Sequence, residues 1–195
     1  ASPDVRTMLI RAAEELLTRY PLDGLHLDFV RYANFHESLG PATRRRFEAD
    51  RKKPVADWPE GVRKGPLFTE MVQWRVAQTT ALVAGIRRVQ RRVAPGTWLT
   101  AAVYGKHPSC VESVGQDWER WLSQGYLDYA LPMNYTESST FYASLVSHQT
   151  REPRQAQRIV GGIGVTASES RLDPADVIDQ IRTLRTHHAA GFALF

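Results

Sequence analysis

Helices and strands alternate along this chain, and this alternation constrains the fold more than any other feature. Five apolar or aromatic runs are separated by segments whose apolar residues recur at helical spacing. The last four runs follow one another at roughly 30-residue intervals, the length of one β/α unit. Such alternation predicts a parallel sheet with right-handed crossovers. The strands are predicted at residues 24–32, 98–104, 127–135, 158–165 and 192–195.

Two parallel folds accommodate five strands. They can complete a flavodoxin-like sheet, or they can be the last five strands of an eight-stranded (β/α)8 TIM barrel, which needs about 250 residues. The barrel is favoured because the first strand runs into Arg31 and Tyr32 and not into a glycine-rich phosphate loop. We therefore predict an α/β fold, with a single barrel segment over residues 1–195 and a long irregular loop at about 33–66.

Composition excludes several classes of protein. With 195 residues, 43% of them hydrophobic, the chain can bury a core without metal or disulfides. The single cysteine, Cys110, excludes an internal disulfide, and no apolar run of about 18 residues predicts a membrane-spanning segment. The net charge is +4, but no nucleic-acid-binding motif accompanies the basic clusters, so no nucleic-acid partner is predicted. The chain starts without Met and stops inside an apolar run, so we expect a segment of a longer protein; the oligomeric state stays open.

Asp28 is the main candidate for catalysis. Strand alternation places it with His26 on one face, whereas Leu25, Leu27 and Phe29 face the helices. A carboxylate inside a barrel is costly unless it is hydrogen-bonded or used in chemistry. Asp28 could instead pair with Arg31 or His26 in a structural role, or share a metal with His26. No further His or Cys cluster supports the metal, so neither a metal nor a cofactor is predicted.

The remaining candidates lie where strands end. Glu137, in the loop after the third strand, is a weak candidate for a second catalytic carboxylate. Cys110 has no evident base partner, so a nucleophilic role is not expected. Asp128, Trp118 and Trp121 are expected to be structural. The residues predicted to bind substrate are His26, Arg31, Tyr32, Tyr104, Asn134 and Tyr135.

Three motifs resemble those of glycosyl hydrolase-like family 10. Residues 23–32, Asp-Gly-Leu-His-Leu-Asp-Phe-Val-Arg-Tyr, resemble the strand motif D-G-[IL]-H-[LF]-D-[YF]-x-R-Y-P, with Ala33 in place of the final proline. Gln116-Asp117-Trp118 and residues 127–135 resemble two later motifs of the family. The resemblance implies a bacterial TIM-barrel protein of which this chain carries strands four to eight. It also implies a carbohydrate substrate and an extracytoplasmic location, whether periplasmic, secreted or lipid-anchored.

The first motif is more distantly similar to that of the family 18 chitinases, D-G-x-D-x-D-x-E. His26 replaces the middle acid, Val30 stands where the catalytic Glu would be, and Thr136 replaces a later Asp. These differences argue against a substrate-assisted chitinase mechanism. The expected function is hydrolysis of an oligo- or polysaccharide by carboxylate acid/base catalysis. The alternatives are a non-catalytic glycan-binding barrel and a metal-dependent hydrolase of the amidohydrolase type.

Overall fold

The computed structural model describes residues 2–195 and shows a parallel sheet of five strands in sequential order. This order is that of a barrel and differs from the 2-1-3-4-5 order of a flavodoxin-like sheet. The predicted barrel-type fold is therefore confirmed, and the flavodoxin-like alternative is wrong. The strands of the sheet are β1 (Gly24–Leu27), β2 (Trp98–Tyr104), β3 (Tyr129–Met133), β4 (Val160–Ile163) and β7 (Gly191–Leu194). Between the last two lies an antiparallel hairpin of β5 (Thr166–Ala167) and β6 (Ser170–Arg171).

Five helices lie at the positions that apolar spacing predicts, namely α1 (Pro3–Arg19), α4 (Phe68–Val93), α6 (Trp118–Ser123), α7 (Ser139–Gln149) and α9 (Pro174–Thr186). A side-chain cap begins four of them, α1, α6, α7 and α9. At α1, for example, Ser2 Oγ accepts a hydrogen bond from the Val5 N–H, and at α9 the Asp173 carboxylate accepts from two N–H groups of the first turn. The shorter helices are α2 (Pro41–Arg51), α3 (Glu60–Arg63), α5 (Ser109–Val114) and α8 (Pro153–Ala156). No described helix combines the length and the apolar composition needed to cross a bilayer.

The main core lies between the sheet and helices α4 and α6. Trp118 and Trp121 are fully buried there, which confirms their expected structural role. Both indoles keep a hydrogen bond, because Trp118 Nε1 donates to the Tyr104 carbonyl at 3.1 Å and Trp121 Nε1 donates to Thr80 Oγ1 at 2.9 Å. Burying side chains of this size contributes roughly 2–3 kcal/mol each, so these two tryptophans anchor α6 beneath β2 and β3.

Asp128 fastens α4 to the amino-terminal edge of the sheet. Its carboxylate accepts two hydrogen bonds from Arg87 and one from the Leu99 N–H, each at 2.7 Å. Burial alone would raise the pKa of Asp128, but these hydrogen bonds outweigh burial and hold the pKa below its ordinary value. The expected structural role of Asp128 is confirmed.

Residues 33–66 are folded, and the expectation of one long irregular loop is wrong for α2 and α3. This segment has a hydrophobic cluster of its own, formed by Phe35, Leu39, Phe47, Val55, Val62 and Met71. The apolar spacing does not reveal α2 because that helix buries only Phe47. Arg75 of α4 ties the segment to the barrel by donating to the carbonyls of Asn34 and Phe35 at 2.6 and 2.7 Å.

Candidate active site

A cleft of about 320 Å³ lies at the carboxyl ends of the strands, where barrels of this type place their active sites. We call it the strand-end cleft. The β5–β6 hairpin contributes to one side of it and α7 to another. Its lining residues are Arg31, Tyr104, Gly105, Lys106, Met133, Tyr135, Phe141, Leu145 and Glu169.

His26 is held by the neighbouring strand. It is in register with Thr100 of β2, and its Nδ1 lies 2.8 Å from Thr100 Oγ1. Partial burial lowers the pKa of His26, and the charge of Asp28 acts in the opposite direction. The imidazole is therefore neutral at neutral pH, and it lies within electrostatic reach of Asp28.

Asp28 shapes the turn that ends β1. Its Oδ1 accepts a hydrogen bond from the Phe29 N–H at 2.7 Å, and Phe29 has a φ of 52°, in the left-handed region. Simple alternation fails here: Phe29, expected against the helices, is 72% exposed, and Val30, expected on the face of His26, is buried in the core. A non-glycine residue in this conformation costs about 1–3 kcal/mol, and such strain concentrates at functional sites.

Arg31 is held between two aromatic rings. Its guanidinium carbon lies 4.6 Å from the centre of the Phe29 ring and 5.0 Å from that of Tyr104. Within residues 2–195, Asp28 takes part in none of the ion pairs. The structure therefore does not support the alternative in which Arg31 neutralises Asp28, and the Asp28 carboxylate is free of a cationic partner there.

Tyr135 lies within electrostatic reach of two carboxylates. Burial raises its pKa to about 12, and the negative charges of Asp28 and Glu169 act in the same direction. Its ring packs against the hairpin through Gly164, where a Cβ atom would lie only 2.9 Å from Tyr135 Cβ. The glycine thus allows the close approach that brings the hairpin and Glu169 to the cleft.

Glu137 contacts the hairpin and is not one of the residues that line the strand-end cleft. Its Oε1 accepts a hydrogen bond from the Arg171 N–H at 3.0 Å. Ser170 Oγ donates to the Gly164 carbonyl at 2.6 Å and ties the base of the hairpin to β4. This geometry favours Glu137 as a support for the hairpin, and its catalytic role stays a prediction.

Asn134 is only 1% exposed, although it directly follows β3. Its amide exchanges two hydrogen bonds with the amide of Gln149, at 2.9 and 2.8 Å. Gln149 Nε2 also donates to the carbonyl of Gly105, a residue of the cleft wall, at 2.8 Å. Asn134 thereby supports that wall from behind, and its predicted contact with sugar stays a prediction.

Tyr32 lines a different cleft of about 430 Å³, which we call the loop-side cleft. This cleft lies between the segment after β1 and helices α2 and α4, and Arg31 reaches both clefts. The guanidinium of Arg75 covers the Tyr32 ring at 4.0 Å. Burial raises the pKa of Tyr32, and the positive charge of Arg75 partly offsets that rise. Of the predicted binding residues, the structure thus gathers Arg31, Tyr104 and Tyr135 in the strand-end cleft.

Sequence reasoning missed two charged residues of the strand-end cleft. Lys106 follows β2 by two residues, and its Nζ lies 5.0 Å from the centre of the Phe141 ring. Its position just beyond a strand end was a usable signal. Glu169 lies at the tip of a hairpin whose strands are two residues long, and so short a polar segment carries no strand pattern.

Cys110 is buried, and burial raises the pKa of its thiol to about 12. This agrees with the expectation that it is not a nucleophile. The described residues bring three possible metal ligands together in one place only, at His107, Glu119 and His148. His26 and Asp28 belong to no such group, so the amidohydrolase alternative has no support at the strand ends.

The sequential parallel sheet and the polar groups at its carboxyl edge define a barrel-type α/β protein with its candidate site at the strand ends. The chain belongs to the family glycosyl hydrolase-like 10, whose model matches residues 1–179, and the resemblance seen in the motifs is thereby confirmed.

A solved structure, the PgaB (BpsB) glycoside hydrolase domain from Bordetella bronchiseptica, has a similar fold, with a TM-score of 0.78 and 14% sequence identity. The match covers 99% of this chain and 57% of that one. An S-layer-related protein of Niallia circulans is 27% identical over 104 residues, which are 48% of this chain and 6% of that protein. This chain therefore spans only part of the length of either relative.

Proposed function

We propose that the protein is a glycoside hydrolase that acts on an oligo- or polysaccharide in the strand-end cleft. One observation carries the proposal: in a member of this family, Asp28 lies at the carboxyl end of β1 without an ion-pair partner among the described residues. Its charge acts on Tyr135, which lines the strand-end cleft together with Arg31 and Tyr104, while Asp28 itself is not one of the lining residues. The fold shared with a glycoside hydrolase domain supports the same conclusion.

Hydrolysis of a glycosidic bond uses two carboxyl groups on opposite sides of the scissile bond. We assign these roles to Asp28 and Glu169, because both act on Tyr135 electrostatically and Glu169 lines the cleft. One carboxylic acid protonates the departing glycosidic oxygen. The other carboxylate attacks the anomeric carbon, or removes a proton from the water that does so. Water supplies the hydroxyl of one product and the proton that restores the acid.

The surrounding residues suit a sugar. Tyr135 keeps its phenolic proton at neutral pH, as tyrosines ordinarily do, and its raised pKa of about 12 extends this to more alkaline solution, so it can donate a hydrogen bond to a carboxylate or a sugar oxygen. The rings of Tyr104 and Phe141 offer apolar surface, and Arg31 and Lys106 offer donors for hydroxyl groups. A mostly apolar cleft with a few convergent polar groups is typical of small-molecule sites.

The location is proposed to be extracytoplasmic, as the family resemblance implies. The description of the Niallia circulans relative as S-layer-related supports this. Cell fractionation of the source bacterium with an antibody against the protein would test it, and recovery in the cytoplasmic fraction alone would contradict it.

The activity is tested with the full-length protein on a panel of glycans, measuring released reducing ends. We expect hydrolysis by the wild type and its loss in Asp28→Asn and Glu169→Gln. Asp50→Asn is the matched control, because Asp50 accepts a hydrogen bond from Trp74 Nε1 away from the strand-end cleft. Binding of a glycan without turnover by the wild type would instead favour the non-catalytic alternative.

A further inference from the structure

Three ligand-type side chains meet beside the strand-end cleft but outside it. His107 follows β2, Glu119 lies on α6 and His148 lies on α7. One ligand atom from each residue lies within 4.8 Å of the other two. His107 Nδ1 and Glu119 Oε1 are 3.4 Å apart. Three different elements thus direct an imidazole, a carboxylate and a second imidazole at one point.

Two atoms of this group are buried without a hydrogen-bond partner, namely His107 Nε2 and Glu119 Oε1. Their nearest charged neighbours lie at 3.4 Å (His107 Nδ1 to Glu119 Oε1) and 3.5 Å (His107 Nε2 to Asp117 Oδ1), which is long for a hydrogen bond, and a bound ion would satisfy the carboxylate oxygen better. Asp117 Oδ1 lies 3.5 Å from His107 Nε2. A carboxylate behind a metal-ligating histidine is a common arrangement, because it orients the ring and raises the basicity of the other nitrogen.

We propose that His107, Glu119 and His148 bind a divalent transition-metal ion, with Zn²⁺ the best match. Two imidazole nitrogens and one carboxylate oxygen form a ligand set that Zn²⁺ takes in proteins, with water in the fourth position. Ca²⁺ and Mg²⁺ prefer sets made of oxygen alone, so they fit less well. The proposal does not depend on the proposed hydrolase activity, because none of the three residues lines the strand-end cleft.

Arg151 competes with the metal. Its Nη2 donates to Glu119 Oε2 at 2.6 Å, and its Nη1 donates to His148 Nε2 at 2.9 Å. An arginine can only donate, so the contact uses the lone pair of His148 Nε2, the same lone pair that would bind a metal. Arg151 is part-exposed and follows the end of α7. The metal displaces its guanidinium from His148, which makes Arg151 a determinant of affinity.

The metal would join the elements that bear the walls of the cleft. Lys106 precedes His107 in the chain, and α7 carries both Phe141 and His148. Cross-linking the loop after β2 to α6 and α7 would therefore stiffen the wall without placing the ion against the substrate.

The test is calorimetric titration of the chelator-treated, dialysed protein with ZnCl₂, together with thermal unfolding with and without Zn²⁺. We expect one Zn²⁺ per chain and a higher melting temperature with the metal. His148→Ala, at an exposed position, should weaken binding at least tenfold, and Glu119→Gln should do the same. Arg151→Gln should tighten binding several-fold. Co²⁺ in place of Zn²⁺ should give the visible absorption of a four-coordinate nitrogen–oxygen site in the wild type and not in His148→Ala.

The matched control is His187→Ala with His188→Ala, which removes two adjacent histidines elsewhere. This variant should bind Zn²⁺ as tightly as the wild type. A purely structural network of ion pairs predicts something different, namely no Zn²⁺ binding and no gain from Arg151→Gln. Absence of binding, or binding that depends on His187 and His188 and not on His148, would overturn the proposal.

Discussion

The strand-end cleft and the loop-side cleft contain similar types of residue, namely arginine, aromatic and polar side chains, but the contacts among these side chains differ. In the loop-side cleft, Arg46 donates to Gln78 at 2.9 Å, its guanidinium covers the Trp74 ring, and Trp74 Nε1 donates to Asp50 at 2.7 Å. In the strand-end cleft, the Arg31 guanidinium lies between two rings. Asp28, at the end of β1 next to this cleft, has no ion pair among the described residues.

The loop-side cleft, of about 430 Å³, is larger than the strand-end cleft, of about 320 Å³, and its polar groups already hydrogen-bond to one another. A cleft can bind and transform a substrate only where polar groups keep hydrogen-bonding capacity, so volume alone does not identify the site. Arg31 lines both clefts, so its side chain lies at the boundary between them.

The largest expected effect is on catalysis. Asp28→Asn should reduce kcat/KM on a hydrolysed glycan by about 1,000-fold, since general acid/base groups contribute about 10²–10⁴-fold. Asp50→Asn, in the surroundings of the loop-side cleft, should leave kcat/KM within about twofold. Comparable losses in the two variants would erase the functional distinction between the clefts. The measurement is steady-state kinetics of reducing-end release.

The next effect separates stability from activity. Phe47→Ala removes a fully buried ring from the segment behind the loop-side cleft and should lower the free energy of unfolding by about 3 kcal/mol. Phe141→Ala, in the strand-end cleft and 38% exposed, should change that free energy by less than about 1 kcal/mol but reduce kcat/KM. Urea unfolding and kinetics on the same samples decide this. A large loss of stability in Phe141→Ala, together with a small one in Phe47→Ala, would contradict this difference between the two regions.

A site remote from both clefts supplies the baseline for stability. Asp128→Asn should cost about 2 kcal/mol at neutral pH, because it weakens charged hydrogen bonds from Arg87. The pKa of Asp128 is lowered in the folded state, so its contribution is complete above the ordinary aspartate pKa, near 3.9. That contribution disappears as the pH falls through the lowered folded value. Unfolding of the wild type and of Asp128→Asn between pH 7 and pH 2 should show their free energies of unfolding converging at low pH. A difference in free energy that is constant with pH would exclude the charged Asp128 carboxylate as its origin.

The smallest effect concerns the two arginines. Arg31→Gln should reduce kcat/KM about tenfold, equivalent to about 1.4 kcal/mol, because it removes donors and a cation from the strand-end cleft. Arg46→Gln should change kcat/KM by less than about twofold. Glycan binding to an inactive Asp28→Asn background, with each arginine variant added, separates loss of binding from loss of turnover. An equal effect of the two arginines would mean that the substrate extends into the loop-side cleft.

Much of the fold follows from local patterns in the sequence. Runs of apolar residues predict the five strands, and helical spacing predicts α4 and α9, because each of these patterns is contained within the element's own residues. The hairpin and α2 could not be predicted in this way. The strands of the hairpin are only two residues long, and α2 buries a single side chain. The contacts that hold these two elements therefore come from residues outside them.

The sequence predicts which residues of the candidate site lie at strand ends, but it does not predict the directions in which their side chains point. Asp28, Arg31, Tyr104 and Tyr135 lie at strand ends and reach the same edge of the sheet. Asn134 also follows a strand, but its amide turns inward to Gln149, a contact that no pattern in the neighbouring sequence reveals. The left-handed turn at Phe29 likewise reverses the alternation that strand spacing predicts. Glu169 reaches the cleft on a hairpin whose base approaches Tyr135 closely at Gly164.

The attachment of the β5–β6 hairpin has an evolutionary consequence. Glu137 holds a backbone N–H of Arg171, and Ser170 holds a backbone carbonyl of Gly164, so neither contact depends on the side chains at the tip. The frame that presents Glu169 is therefore held by residues other than Glu169 itself. Under the proposed function Glu169 is constrained, and Ser168 is the tip position that related proteins can substitute while keeping the barrel and the frame of the hairpin.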